Sequence, residues 1–441
     1  MKEPEPEERK LMRWESHALL GIQAVRALLP EELEWLNRES PAGPELSRLP
    51  ECRTGAEQLA ASCLLMDWAY EPLYAAYARQ PSGLPFPHML PDSDGRGAYF
   101  SGNAPSPQAA AELIQLKIED CVAALRSGRR LDFYRHAGVL GHFLQDMTAP
   151  THVIGPRLLR NLFPDPETGR CAGLTGCYSI ADDLKTARPS LAGRTAGEAA
   201  FQLMNDAFFA ADRAQRSIPE LMRAVYARDE SRCREILRGP ASDAAALSAR
   251  AWHTVFCLAS GQFPESELSG LSPFPLDQVF PAYRHPGLYA SAEPGGFCLD
   301  GRRLPLRLLT ENGVSQFDSG FGMTGYSGMK FYLHGQFSAL EFTLGLADHE
   351  SSFLPHVRVD FTVEVSDGWN RVFSEDMLFG GRVLRKITLG PGAPARRVKV
   401  ELNGAGTLIL AAKAIPWQTA DGETRFDIPH LAAADPVLSR S

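Results

Sequence analysis

Two hydrophobic periodicities divide the chain. Between about residues 15 and 262, apolar residues recur every three or four positions, and Ala, Leu, Glu and Arg dominate the composition. This spacing collects the apolar side chains on one face of a helix, so it predicts an all-helical domain. The predicted helices span residues 17–29, 109–125, 131–147, 199–213, 218–228 and 243–261.

The second periodicity lies in the C-terminal part, where apolar and polar residues alternate. Val359, Phe361 and Val363 alternate with Asp360 and Thr362, for example. Short alternating segments between Gly-rich turns are typical of an antiparallel β-sandwich. We therefore predict a multidomain chain, first helical and then β. Its parts are a helical domain (14–262), a linker rich in Pro and aromatic residues (263–295), a β-sandwich (296–420) and a tail (421–441).

Charge and composition limit the classes of function. The 441 residues carry 45 Lys and Arg against 53 Asp and Glu, which gives a net charge of −8. This balance argues against a stable nucleic-acid complex, because tight binding to phosphates needs a basic surface. It leaves open an enzyme that meets phosphate through bound metal ions, since the ions add positive charge. No apolar run reaches the ~18–20 residues of a membrane span.

The N-terminus and the cysteines bear on the compartment. The first residues, Met1 to Glu8, are polar and have no apolar segment behind them, so they do not form a signal peptide as written. Eight cysteines are too few for a disulfide scaffold of this length. We expect buried free thiols, and a short-loop disulfide between Cys171 and Cys177 is the alternative in an oxidising compartment.

One segment carries the residues of a metal site. His142 and Asp146 lie four residues apart on the most apolar of the predicted helices, so both side chains face the same side. Pro150 ends that helix, and His152 follows on the turn beyond it. Two imidazoles and a carboxylate at this spacing are metal ligands. The alternative is a buried hydrogen bond between His142 and Asp146 that serves only the fold.

This segment resembles the core motif of the zinc-dependent phospholipase C family and its single-strand nuclease relatives. That motif is His-x3-Asp-x5-His with Pro two residues before the last His, and His142, Asp146, Pro150 and His152 match it position by position. The resemblance covers about residues 14–260. It implies an all-helical domain that holds zinc ions and cleaves phosphodiesters.

The resemblance also implies further ligands in chain order. His17 matches the family's histidine at the start of the first long helix, and Asp67 matches the aspartate at the end of the next one. His88 matches the histidine in the loop before an Asp-rich turn, although its distance from Asp67 is longer than usual. Zinc-bound hydroxide then attacks phosphorus, with Asp67 as the catalytic residue that accepts the proton of the water.

The chain departs from the family pattern at two points. Family members begin at a Trp whose free amine binds zinc, but thirteen residues precede Trp14 here. The family also has a second His and a carboxylate after the core motif, whereas this chain has no histidine between His152 and His253. The candidate replacements are Cys171, Cys177, Asp182 and Asp183. We therefore expect two zinc ions, and leave open a third on His152.

Two other histidines are given structural roles. His136 lies more than one and a half helical turns before His142, so it faces elsewhere and is interpreted as structural or at the rim of the site. His253 lies in the apolar segment Trp252-His253-Thr254-Val255, and we interpret it as a core histidine with its hydrogen bonds satisfied.

The predicted sandwich resembles the jelly-roll carbohydrate-binding modules of secreted hydrolases, over residues 327–345 and 357–412. A lipid-binding sandwich and a purely structural domain are the alternatives. The leading hypothesis for the chain is a phospholipase C-type phosphodiesterase with a phospholipid or other phosphodiester substrate. A single-strand nuclease and a non-catalytic binding protein on a decayed phospholipase scaffold are the alternatives. The resemblance implies secretion or a periplasmic location, and the missing signal peptide keeps a cytoplasmic location open.

Overall fold

The computed structural model describes residues 16–38, 52–68, 77, 106–153, 187–285, 292–294, 296–299, 302–367 and 381–440. The chain divides into two compact units, Met1–Leu268 and Ser269–Ser441. In these described ranges, no helix combines the length and the apolar character needed to cross a bilayer.

The described part of the first unit is helical. Its α-helices are α1 (Ser16–Arg26), α2 (Pro30–Asn37), α3 (Gly55–Ala61), α4 (Pro107–Arg126), α5 (Arg130–Asp146), α6 (Pro150–Val153), α7 (Ala196–Ala227), α8 (Glu230–Ser260) and α9 (Glu265–Leu268). A 3-10 helix, Ser62–Trp68, continues directly from α3.

The helix starts follow local capping chemistry. The Ser106 side chain accepts a hydrogen bond from the backbone N–H of Ala109 (3.2 Å), and Pro107 is the first residue of α4. Thr195 caps α7 in the same way, through the N–H of Glu198 at 3.1 Å. These contacts satisfy backbone donors that have no partner inside the helix. α4 therefore begins at Pro107, two residues before the predicted start at residue 109.

Prolines account for the main differences from the predicted helices. Segments 199–213 and 218–228 form the single helix α7, which contains Pro219. α8 likewise starts at Glu230 rather than near residue 243, and contains Pro240. An internal proline costs helix stability, but the buried apolar face of α7 continues across Pro219, through Ala214, Ile218 and Leu221. Tertiary packing therefore outweighs the local break.

The second unit is built from antiparallel strands. They are β1 (Phe274–Pro275), β2 (Pro281–His285), β3 (Ala292–Pro294), β4 (Gly296–Leu299), β5 (Arg302–Leu304), β6 (Leu306–Thr310), β7 (Gly313–Phe317), β8 (Gly320–Thr324), β9 (Tyr326–Tyr332), β10 (Ala339–Leu346), β11 (Val359–Ser366), β12 (Arg382–Leu389), β13 (Arg396–Glu401), β14 (Thr407–Ala414), β15 (Trp417–Gln418), β16 (Thr424–Arg425) and β17 (His430–Ser439). One sheet has the order β13-β10-β17-β8-β3-β4-β5, with β1 also paired to β17, and a second has the order β12-β11-β14-β9-β2.

The two sheets share one core. Phe342 on β10 and Phe361 on β11 are fully buried, and their ring centroids lie 5.6 Å apart. Phe321 on β8 and Phe331 on β9 make a second contact between the sheets at 5.3 Å. The unit is therefore a β-sandwich, and the predicted order of a helical part followed by an antiparallel β part is confirmed.

The ends of the sandwich differ from the predicted linker and tail. The tail (421–441) contains β17, which is hydrogen-bonded between β10 and β8. Its buried run Leu431, Ala432, Ala433 and Ala434 has no polar alternation, and Ala is rare in strands, so the sequence carries no strand signal there. The linker (263–295) likewise contributes β1, β2 and β3 to the sheets.

Candidate metal centre

α5 places His142 and Asp146 together. The two residues lie one turn apart, and His142 Nε2 is 3.3 Å from Asp146 Oδ2. The surrounding helix face is apolar, with Val139, Leu140 and Leu144 fully buried. His142 is fully buried and Asp146 is 5% exposed. Burying two such groups is unfavourable unless they interact strongly with each other or with an ion.

Two further imidazoles approach the same carboxylate from other parts of the chain. His17, in the first turn of α1, has its Nε2 3.4 Å from Asp146 Oδ1. His152, on α6, has its Nε2 3.5 Å from the same oxygen. The side chains of His17 and His152 keep about a fifth of their surface exposed, so solvent reaches these two members of the cluster. We refer to His17, His142, Asp146 and His152 as the His–Asp cluster.

The turn between α5 and α6 brings His152 back to the cluster. The backbone carbonyl of Gln145 accepts hydrogen bonds from the Thr148 N–H at 3.0 Å and from its hydroxyl at 2.8 Å. α5 ends at Asp146, and Pro150 is the first residue of α6 instead of the residue that stops α5. Pro fits this first helical position because its missing N–H has no partner there.

Hydrogen bonds on the far side of the rings orient two of the imidazoles. His142 Nδ1 donates to the backbone carbonyl of Cys63 at 2.6 Å. The His17 ring stacks on that of His142, with centroids 3.8 Å apart, and its Nδ1 is 2.9 Å from the side-chain oxygen of Gln145. A histidine whose second nitrogen is fixed in this way is typical of metal ligands.

The geometry of the His–Asp cluster fits a metal ion. In a tetrahedral zinc site with ligands at about 2.0–2.1 Å, neighbouring ligand atoms lie about 3.3–3.4 Å apart. The separations of 3.3 to 3.5 Å between Asp146 oxygens and the three Nε2 atoms match that spacing. They are longer than the about 2.7–2.9 Å of a charge-assisted hydrogen bond. The potential ligand atoms of His17, His142 and Asp146 all lie within 4.8 Å of one another, and this group of three, which does not include His152, is the one that could hold a single ion.

The structure leaves the remaining predicted ligands untested. Asp67 lies near the end of the 3-10 helix Ser62–Trp68, which also carries the Cys63 carbonyl, but its side chain lies outside the described residues. The other predicted ligands also lie outside the described residues: His88, Trp14, Cys171, Cys177, Asp182 and Asp183. These assignments therefore stay predictions.

His136 lies apart from the His–Asp cluster. Its Nδ1 is 3.3 Å from Lys117 Nζ and 3.4 Å from an oxygen of Asp120, and its ring packs on Tyr77. Burial and the charge of Lys117 lower the pKa of His136 to about 4. These contacts fit the predicted structural role.

His253 occupies a second polar cluster, which the sequence analysis did not foresee in full. Its Nδ1 is 2.7 Å from Glu32, and its Nε2 is 3.2 Å from Glu267 and 3.7 Å from Cys257 Sγ. Burial lowers the pKa of His253, but the hydrogen bonds with Cys257 and Glu32 outweigh it and raise the pKa to about 10. His253 is therefore a buried cation between two carboxylates, which agrees with its interpretation as a satisfied core histidine.

Sequence reasoning missed the partners that orient the cluster. The Gln145 side chain hydrogen-bonds His17, and the Cys63 carbonyl hydrogen-bonds His142. Thr148 stabilises the turn that leads to His152. These groups are an amide, a backbone carbonyl and a hydroxyl, and none of them belongs to a recognisable sequence motif. The one available signal was the position of Gln145, a polar residue beside Asp146 on an apolar helix.

Comparisons with known proteins give similar structures only. No family model and no curated protein matches the chain. The alpha-toxin of Clostridium perfringens, from an avian strain, is similar over 97% of this chain and 97% of its own, with 11% identity and a TM-score of 0.32. A CBM51 module of Clostridium perfringens GH95, solved with methyl-galactose, matches 38% of this chain and 100% of its own, with 19% identity and a TM-score of 0.28.

A larger structure, the M60 catalytic domain with two CBM51 domains of Clostridium perfringens ZmpB, matches 38% of this chain at 19% identity and a TM-score of 0.29. This chain spans only 15% of that structure. The structures found are of the two kinds that the sequence resemblances led us to expect. At these TM-scores they carry no argument about activity, metal or ligand.

Proposed function

We propose that the chain is a zinc-dependent phosphodiester hydrolase of phospholipase C type. The observation that carries the proposal is the convergence of His17, His142 and His152 on Asp146. These residues come from α1, α5 and α6, and α1 lies more than a hundred residues before α5. The His17 and His142 nitrogens at ligand-to-ligand spacing from one buried carboxylate suit zinc, which prefers nitrogen and oxygen donors in tetrahedral sites, and His152 approaches the same carboxylate.

Each residue of the cluster has its own role in the proposed zinc binding. Asp146 offers one oxygen to His142 and the other to His17 and His152, so its carboxylate is the shared ligand. When bound, zinc lowers the pKa of water and offsets negative charge on a phosphoryl group. We further propose Asp67 and His88 as ligands that complete a pair of zinc ions, with Asp67 accepting a proton from water. A third ion on His152 is the alternative to this pair, and the zinc content per chain decides between the two.

Zinc content is the first test. Protein purified without a His tag and analysed for bound metal should carry about two zinc ions per chain. His142→Ala should lose most of this metal together with hydrolysis of a phosphodiester that has a nitrophenol leaving group. His136→Ala is the matched control, since it removes an imidazole from the same helix outside the cluster. Full zinc content in His142→Ala, or equal losses in both variants, would rule the assignment out.

The choice of substrate separates this proposal from its alternatives. We expect turnover of phosphatidylcholine vesicles, because a net charge of −8 favours a neutral headgroup over a nucleic-acid chain. Turnover of single-stranded DNA alone would favour the nuclease, and zinc binding without any hydrolysis would favour the non-catalytic protein.

We propose that the sandwich contacts a glycan surface and that the protein acts outside the cytoplasm. The exposed aromatic side chains Phe353 and Phe426 support this contact, at 57% and 49% exposure, because aromatic faces pack well against sugar rings. A glycan array probed with the full chain and with Phe426→Ser tests the contact, and equal signals from both would remove this residue from it.

A further inference from the structure

Gln145 is a buried polar residue beside the His–Asp cluster. It precedes Asp146 on α5 and is 1% exposed. Burying an amide is unfavourable unless both of its ends find partners. Its side chain meets three groups: His17 Nδ1 at 2.9 Å, the Ser248 hydroxyl at 3.3 Å and Cys63 Sγ at 3.8 Å.

The orientation of this amide follows from Ser248. Ser248 is fully buried on α8, and its hydroxyl donates to the backbone carbonyl of Ala244 at 2.9 Å. Because that hydroxyl has a single proton, it can only accept from Gln145. The amide NH2 of Gln145 therefore faces Ser248, and its oxygen faces His17.

The orientation of the amide in turn sets the protonated nitrogen of His17. An amide oxygen accepts hydrogen bonds and cannot donate them, so His17 Nδ1 must carry a proton. In the neutral ring this leaves the lone pair on Nε2, the atom that lies 3.4 Å from Asp146. We propose that Gln145, held by Ser248, is a positioning residue that fixes the tautomer of His17 and turns its Nε2 lone pair toward the metal site.

This positioning has a measurable consequence for metal binding. Partners that orient a ligating histidine typically contribute about 10–100-fold to metal affinity. The step to metal binding rests on the proposed function, whereas the tautomer of His17 is a property of the metal-free chain. The two can therefore fail separately.

The test uses the full chain with Gln145→Met, which keeps the volume of the side chain and removes both ends of the amide. Nitrogen chemical shifts of the imidazoles in metal-free protein report the tautomer, and competition with a chelating dye reports zinc affinity. We expect the Nδ1–H tautomer in the wild type, its loss in Gln145→Met, and zinc binding weakened about 10–100-fold. Gln145→Glu should rescue both, since a carboxylate also accepts from Nδ1.

Two controls keep the result interpretable. Asn205→Leu removes another buried amide, which bonds the Phe201 carbonyl on α7, and should leave the His17 tautomer unchanged. Ser248→Ala removes the nearer acceptor of the amide NH2 and leaves the weaker acceptor Cys63 Sγ at 3.8 Å, so it should yield a mixture of tautomers in a folded chain.

A neutral wild-type His17 protonated on Nε2 and not on Nδ1 would overturn the proposal, as would zinc affinity in Gln145→Met within twofold of the wild type. If the wild type binds no zinc yet shows the expected tautomers, the proposed function fails and the role of Gln145 stands.

Discussion

Gly138 sets the distance between α5 and the 3-10 helix that carries the Cys63 carbonyl. A Cβ added at Gly138 would lie 2.4 Å from the carbonyl carbon of Ser62 and 2.6 Å from its oxygen. Non-bonded carbon atoms need about 3.5 Å, so Gly138→Ala forces the two helices about 1 Å apart. The contact is with backbone, which cannot rotate away as a side chain can.

The same displacement reaches the His–Asp cluster one turn later. Stretching the bond of 2.6 Å between His142 Nδ1 and the Cys63 carbonyl by about 1 Å takes it beyond hydrogen-bonding range. Overpacking costs about 1–3 kcal/mol, and the lost bond about 1 kcal/mol. The better helix propensity of Ala returns about 1 kcal/mol. We expect a net destabilisation of about 1–3 kcal/mol and weaker zinc binding.

Urea unfolding of the metal-free protein measures the first effect, and zinc competition measures the second. Ala137→Gly is the matched control on the same helix. It costs about 1 kcal/mol through helix propensity and about 1 kcal/mol more for the lost methyl, because Ala137 is fully buried. It does not push the helices apart, so zinc affinity should stay near that of the wild type. The reasoning is refuted if Gly138→Ala keeps wild-type stability, or if both variants weaken zinc binding equally.

Three further predictions follow from buried charges and caps. The pKa of His136 is about 6.5 in the unfolded chain and about 4 in the folded chain, so the free energy of unfolding falls as the pH drops from 6.5 to 4. His136→Gln should therefore weaken the pH dependence of the melting temperature in this range. The folded-state pKa of His253 is about 10, so its stabilisation is complete below pH 6.5 and is lost toward pH 10. His253→Leu leaves Glu32 and Glu267 without their cation and should cost about 3–5 kcal/mol in urea unfolding at pH 7, with unchanged zinc content. Thr195→Ala removes the cap of α7 and should cost about 1 kcal/mol, measured in the same way.

The convergence of the His–Asp cluster could be predicted in part, because residue types and spacing indicate which side chains lie together. His142 and Asp146 lie on one face of any helix, and the resemblance added His17 from a distant segment. The hydrogen-bond partners could not be predicted, because Gln145 and Ser248 are common residue types whose contact joins α5 to α8, 103 residues apart in sequence.

The fold, too, could be predicted in some parts and not in others. The change from helical to alternating periodicity predicts both architectures, since each pattern reports which faces are buried. Local rules fail where packing supplies the missing energy, as at Pro219, whose helix face stays buried on both sides of the proline. They also fail at β17, where a strand with buried residues on both faces has no alternation to detect.

The energetics of the His–Asp cluster also bear on the decayed-scaffold alternative. Three imidazoles and a carboxylate beside buried apolar residues lower the stability of the fold, because these groups lose contact with water. Apolar replacements of similar volume are often neutral or stabilising. Gln145 and Ser248 add two buried polar side chains, and their hydrogen bonds serve the orientation of His17. A bound metal ion would offset this cost, because the free energy of metal binding adds to the stability of the folded chain. The proposed metal site would therefore account for the burial of these polar groups.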